Sequence, residues 1–166
     1  SGQLYLNFGS SSKTSDFVVD SLQQWWDTLT PQEQKDVKRI QIKVDNGPEN
    51  SGVRTQFLNR MVSFADAIAT PIQLLYYPPY HSKYNPIERC WGILEQHWNG
   101  TQIVNVETML GWAKTMTWKG VHPVVLLSKK VYKKGVSLSK KAMKEIEKRL
   151  ERNPLLPKWD ILIRPA

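Results

Sequence analysis

Tyr76-Tyr77-Pro78-Pro79-Tyr80-His81-Ser82-Lys83-Tyr84-Asn85-Pro86-Ile87-Glu88-Arg89-Cys90-Trp91 is the stretch whose reading decides the fold. It is led by Ile72, Leu74 and Tyr76 alternating with Gln73 and Leu75, the strand period. Pro78 and Pro79 stiffen the segment after Tyr77, since each ring fixes φ and removes a backbone donor. Asn85 suits an N-cap and Pro86 the first helical position. The stretch therefore reads as strand end, stiff loop and helix start. Glu88 falls in the first helical turn, and the loop carries no other carboxylate.

Farther upstream, Ile40, Ile42 and Val44 alternate with Gln41 and Lys43, so a second strand ends at Asp45. Asn46 to Gly52 holds two Gly and one Pro and reads as loop. A helix then runs from about Arg54 to Ala69, with Phe57, Met61, Phe64, Ala65 and Ile68 on one face. Downstream, Ile87, Cys90, Trp91, Leu94 and Trp98 form the stripe of the helix from Pro86, and Gly100 ends it. Glu88 lies at the stripe's edge. Taken alone, Asp45-Asn46-Gly47 is a hairpin-turn signal, and Glu88 completes a capping box three residues after Asn85. The first reading weakens because a helix comes next, not a strand. Both weaken because ligands of open α/β sheets collect at the carboxyl ends of strands.

Further out, Leu4 to Phe8 reads as a strand, and Thr14 or Ser15 caps a helix carrying Phe17, Val18, Leu22, Trp25, Trp26 and Leu29. Thr30-Pro31-Gln32-Glu33 is a capping box opening a short helix. Asn105 caps a helix to about Thr117 with Val106, Met109, Leu110, Ala113 and Met116 inward, and Trp118 to Leu127 has no clear period. Lys129 to Gly135 is a basic link. Ser139 caps a basic helix whose apolar line is Ala142, Met143, Ile146 and Leu150, broken by Pro154 and Pro157. Trp159 to Ile163 reads as a terminal strand. Strands interleaved with helices imply an α/β fold, a mixed sheet flanked by helices. The expected division is a core over 1–127 and a basic helix and tail over 128–166 that packs on it or extends it.

At 166 residues, 40% hydrophobic with seven Trp, the chain can bury a core. Its single cysteine, Cys90, excludes a disulfide framework or Cys-based zinc site within one chain and suits a reducing cytoplasm. It reads as buried and inert. No apolar run reaches the roughly 18 residues of a membrane span. Net charge is +8, and the excess is clustered. Residues 1–127 carry 11 basic and 11 acidic residues, whereas 128–152 carry ten basic and three acidic. Such clustering suits a polyanion, and DNA is the expected partner. A solvated helix face is the alternative.

Asp45 and Glu88 are the candidate catalytic residues and metal ligands. Magnesium prefers oxygen donors, and one or two carboxylates plus substrate phosphate suffice per ion. Two ions about 3.5–4 Å apart stabilise both the attacking and leaving oxygens of an in-line displacement. This chemistry requires no small-molecule cofactor. His81, His97 and His122 lack the spacing of a metal site, but His81 precedes Glu88 closely enough to touch DNA phosphate. Lys83 and Arg89 flank Glu88. With Lys129, Lys130, Lys133, Lys134, Lys140 and Lys141 they complete the candidate DNA contacts. Asn46, Asn50 and Asn85 either orient the acids or serve turns and caps.

Asp45-Asn46-Gly47-Pro48-Glu49-Asn50 and the later Pro78-Pro79-Tyr80…Asn85-Pro86-Ile87-Glu88-Arg89-Cys90-Trp91-Gly92 resemble the second and third acidic motifs of DDE transposases. The closest likeness is to the Rhodopirellula-type transposase domain of bacterial insertion sequences, with similarity also to mariner-type elements and retroviral integrases. It extends to Thr117-Trp118-Lys119-Gly120 and Leu156-Pro157-Lys158-Trp159-Asp160. The resemblance implies a partial ribonuclease H-like fold, cleavage and strand transfer on DNA, and magnesium or manganese held by Asp45 and Glu88. It also implies a first acid on a strand before Leu4, so this stretch is expected to be inactive alone. Asp16 and Asp20 fall in a helix, the wrong place for that ligand. Strands deprived of a neighbour leave open edges, which invite a paired or swapped homodimer. The rival readings are a non-catalytic DNA-binding or assembly module and a nuclease of the same fold.

Overall fold

The computed structural model describes residues 2–77 and 85–166. Its elements run β1 (Tyr5–Gly9), α1 (Ser15–Asp27), α2 (Pro31–Asp36), β2 (Ile40–Val44), α3 (Thr55–Ile68), β3 (Ile72–Tyr76), α4 (Pro86–Trp98), α5 (Val106–Thr115), β4 (Val124–Ser128), α6 (Lys140–Glu147), β5 (Leu150–Arg152) and β6 (Asp160–Ile163). They fall into two compact units, Ser1–Ser11 with Lys83–Lys130, and Ser12–Ser82 with Val131–Ala166.

The larger unit is built on a mixed sheet in the order β2-β3-β6-β5. β2 and β3 are parallel, Val44 facing Tyr76, and α3 is the crossover between them. β6 runs antiparallel to β3, with Ile163 opposite Ile72, and β5 runs antiparallel to β6. The alternation in β3 does what its period requires: Ile72, Leu74 and Tyr76 are buried. They meet Phe57, Leu58, Met61 and Ala65 of α3, Val19 and Trp26 of α1, and Ile161 and Ile163 of β6 in one core. Helix starts obey their caps. Thr14 accepts from Phe17 N–H, and Thr30 and Glu33 complete a reciprocal capping box. The architecture is the mixed α/β arrangement expected of a ribonuclease H-like fold.

The other face of this sheet carries a polar ladder. Gln41 Nε2 donates to Gln73 Oε1 at 3.2 Å, and Gln73 Nε2 donates to Asp160 Oδ1 at 2.8 Å. Asn153 Nδ2 donates to Asp160 Oδ2 at 3.0 Å. The Asn153 amide, then the Gln73 amide, holds the Asp160 carboxyl below its ordinary value; burial opposes and the Arg39 charge assists. A group with a lowered native pKa stabilises the fold above its unfolded value, and that contribution is lost as pH falls through the native one. Below about pH 4, wild type should therefore lose stability faster than Asp160→Asn. Parallel acid limbs in urea unfolding would show that the ladder contributes nothing.

The smaller unit pairs β1 with β4 in parallel, Tyr5 opposite Val124. Leu4, Leu6, Cys90, Leu94, Ala113 and Met116 form its core. Burial pushes the Cys90 thiol up, as expected of an inert cysteine.

Three sequence expectations are corrected: where the basic helix ends, the burial of Trp91, and the inward placing of Val106, which is 42% exposed. The basic helix ends at Glu147, not near Leu150; Leu150 is buried in β5, opposite Ile163, because strand pairing captures it. Trp91 is 45% exposed. The buried line of α4 is Cys90 and Leu94, with Ile87 and Trp98 packed against the same core, and Trp91 falls off it. The patternless stretch after Trp118 contains β4, whose continuous Val-Val-Leu-Leu run has no alternation to read.

Candidate functional site

Asp45 comes directly after β2, at its carboxyl end, and is exposed. A loop and α3 come next, so the hairpin reading of Asp45-Asn46-Gly47 is excluded. Asn50 Nδ2 donates to Asp45 Oδ1 at 2.8 Å, and Asn50 N–H donates to the Gly47 carbonyl at 3.3 Å. A Cβ at Gly47 would lie 3.2 Å from Asn50 Oδ1 and 3.6 Å from both Asp45 oxygens. The carboxylate thus folds over a residue that has no side chain. Farther along, Gly52 closes the loop against the C-terminal segment, since a Cβ there would meet the Lys158 carbonyl at 2.6 Å. Asp45 therefore sits in a loop tied by hydrogen bonds and a close backbone contact.

Tyr77 N–H donates to the Val44 carbonyl at 3.0 Å. Tyr77, directly after β3, is thereby held beside the end of β2 from which Asp45 follows. Asn85 caps α4 by accepting from Ile87 N–H at 3.4 Å, and Pro86 occupies the first turn. Glu88 is exposed and forms no capping box, in contrast to Glu33 of α2. Among the described residues its carboxylate has no hydrogen-bond or ion-pair partner. The capping-box explanation for an acid at this position is thus absent, and the helix dipole is the local interaction that remains. His81 and Lys83 lie outside the described residues. Arg89 is exposed.

The donor chemistry fits a hard divalent cation. Asp45 offers a carboxylate with one oxygen held by an amide, and Asn50 Oδ1 beside it is buried with no hydrogen-bond partner among the described residues. Glu88 carries an exposed carboxylate on the other compact unit. Oxygen donors of this kind suit magnesium or manganese. Among the described residues no three His, Cys, Asp or Glu side chains gather as a metal cluster. Asp45 and Glu88 belong to different compact units.

Asp16 and Asp20 have structural partners. Gln56 Nε2 donates to Asp16 Oδ1 at 2.9 Å, and Arg60 reaches Asp20 at 2.5 Å and Asp16 at 3.6 Å. Two histidines are structural as well. His97 Nε2 lies 2.9 Å from Thr115 Oγ1, and His122 Nδ1 lies 2.9 Å from the Met116 carbonyl.

The basic segment sorts into two classes that charge counting cannot separate. Arg149 binds Asp66 at 2.6 Å, Arg152 pairs with Glu147, and Lys148 binds Glu145 at 2.8 Å. Those three charges are already met by carboxylates, Lys148 only by an exposed neighbour one helical turn away. Lys129, Lys133, Lys134, Lys140 and Lys141 are exposed and have no ion-pair partner among the described residues. Lys130 is also exposed, and its carbonyl accepts from Ser11 Oγ at 3.1 Å.

Sequence reasoning missed a cavity of about 280 Å³ beside the Asp45 loop, lined by Lys13, Arg54, Lys133 and Lys134 together with Asp16 and Glu49. Its residues come from four separate stretches, and only Lys133 and Lys134 carry a signal in the sequence, the local charge excess.

A family model described as the Rhodopirellula transposase DDE domain matches residues 1–165. No curated protein and no solved structure shows a significant match to the chain.

Proposed function

Since the chain belongs to the Rhodopirellula transposase DDE domain family, we propose that it supplies Asp45 and Glu88 as two of the acidic residues for phosphodiester cleavage and strand transfer on DNA. One observation carries this reading. Asp45 stands at the carboxyl end of β2, beside the parallel carboxyl end of β3, where Tyr77 N–H donates to the Val44 carbonyl. Ligand sites of α/β sheets form at such ends.

In the reaction, the oxygen of water or of a DNA 3′-hydroxyl forms a new bond to phosphorus. The bond to the strand's 3′ oxygen breaks in line, and that oxygen leaves as a hydroxyl after taking up a proton. Asp45 and Glu88 would hold magnesium or manganese, which when bound supplies Lewis-acid stabilisation of charge on the phosphate oxygens. Asn50 keeps the Asp45 carboxylate in one orientation. Arg89, Lys129, Lys130, Lys133, Lys134, Lys140 and Lys141, with His81 and Lys83, contact the DNA backbone and neutralise its charge. The homodimer is part of the proposal, because β2 is the outer strand of its sheet and its free edge can pair with a copy. A monodisperse monomer in sedimentation at high concentration removes that part.

Product analysis on an end-labelled duplex with magnesium or manganese, using this domain within a protein that supplies a further acid, tests the function. Joined strands support it, and cut but unjoined strands favour the nuclease reading. Duplex binding with neither product, in a protein with both acids intact, favours an assembly module.

A further inference from the structure

The cavity beside the Asp45 loop is built for an anion. Four cationic side chains line it, Lys13, Arg54, Lys133 and Lys134, against two carboxylates, Asp16 and Glu49. Both carboxylates are already engaged: Asp16 by Gln56 at 2.9 Å and Arg60 at 3.6 Å, and Glu49 by Arg54 at 3.4 Å. The three lysines have no ion-pair partner among the described residues. Arg54 adds a second signal, since its Nε is buried with no acceptor among the described residues. An unmet buried donor is costly and calls for a complementary group.

The lysines are also held in place. Tyr132, just before them, is buried; its hydroxyl donates to Asp20 Oδ2 at 3.0 Å, and its ring meets Phe17 edge-on at 5.6 Å. Just after them, Gly135 turns the chain at φ 72°, and Leu138 N–H donates to Thr55 Oγ1 at 3.0 Å. Read as a basic link, this segment is docked at both ends against α1 and α3. The opposite wall is tied to the candidate acid, because Ser15 Oγ donates to the Glu49 carbonyl at 2.7 Å and Glu49 belongs to the Asp45 loop.

We propose that this cavity is a phosphate seat, and that its occupant is a backbone phosphate of the DNA strand. It fixes the register of the strand relative to Asp45. The inference rests on the transposase reading above and assigns one phosphate contact to a built site.

Fluorescence anisotropy of a labelled duplex, titrated over a salt series, tests it. Each lost phosphate contact reduces the slope of log affinity against log salt by about 0.9. Lys133→Gln with Lys134→Gln should lower the slope by about that amount, weakening binding equally for unrelated sequences. Lys35→Gln on α2, outside the cavity, should leave the slope unchanged. An unchanged slope in the double variant, with wild-type binding intact, overturns the seat and leaves the transposase reading standing. Absence of duplex binding by wild type overturns both. Inorganic phosphate provides the remaining arm. If it binds wild type but not the double variant, while duplex binding is the same in both, the cavity takes free phosphate and the DNA assignment fails.

Discussion

In a transposase that carries this domain, Asp45→Asn is expected to lower metal-dependent cleavage and joining of DNA by roughly a thousandfold, about 4 kcal/mol of transition-state stabilisation. The substitution is close to isosteric. The amide oxygen still accepts from Asn50 Nδ2, and the residue still packs over Gly47, so the loop keeps its shape. What disappears is the negative charge proposed to hold a divalent ion. Duplex affinity and the unfolding midpoint should therefore stay at wild-type values while the rate collapses. Glu88→Gln should do the same, since no partner among the described residues depends on its charge. Glu33→Gln separates this effect from ordinary helix chemistry. Glu33 caps α2 through Thr30, and backbone and side-chain hydrogen bonds from Thr30 hold its carboxyl below the usual value. It should leave the rate untouched. Retained activity in Asp45→Asn would end the assignment of Asp45.

Phe57→Ala should destabilise the larger unit by about 3–5 kcal/mol. Phe57 is fully buried, in the turn of α3 that meets β3, α1 and β6 in one core. Removing its ring leaves a void that Leu58, Met61 and Leu74, equally buried, cannot fill without leaving their own contacts. The loss is a large fraction of the stability of a domain this size. Val131→Ala and Leu155→Ala, at residues 83% and 88% exposed, should stay within about 0.5 kcal/mol. Denaturant unfolding distinguishes the two classes. An unfolding midpoint for Phe57→Ala equal to that of Val131→Ala would mean that the core does not hold the unit together.

Much of the fold is written in short-range signals. Thr14, Asn85, Asn105 and Ser139 cap the helices the sequence predicts, each accepting a hydrogen bond from an amide within three residues. Ile40, Ile42, Ile72 and Leu74 alternate in strands that pair as a parallel βαβ unit. The placement of Asp45 at a strand end and Glu88 in a first turn comes from the same local rules. So does the family, since its motifs are contiguous.

The sequence by itself thus determined the helix starts, the alternating strands and the two candidate acids, because each depends on residues a few positions apart. Tertiary structure alone decided the rest. β4 exists because Val124 lies beside Tyr5, and β5 because Leu150 lies opposite Ile163. Arg149 and Lys133 look alike in a charge count, yet one meets Asp66 while the other borders a cavity. Partners so distant in the chain leave no periodic trace, and their contacts form only when the core brings them together.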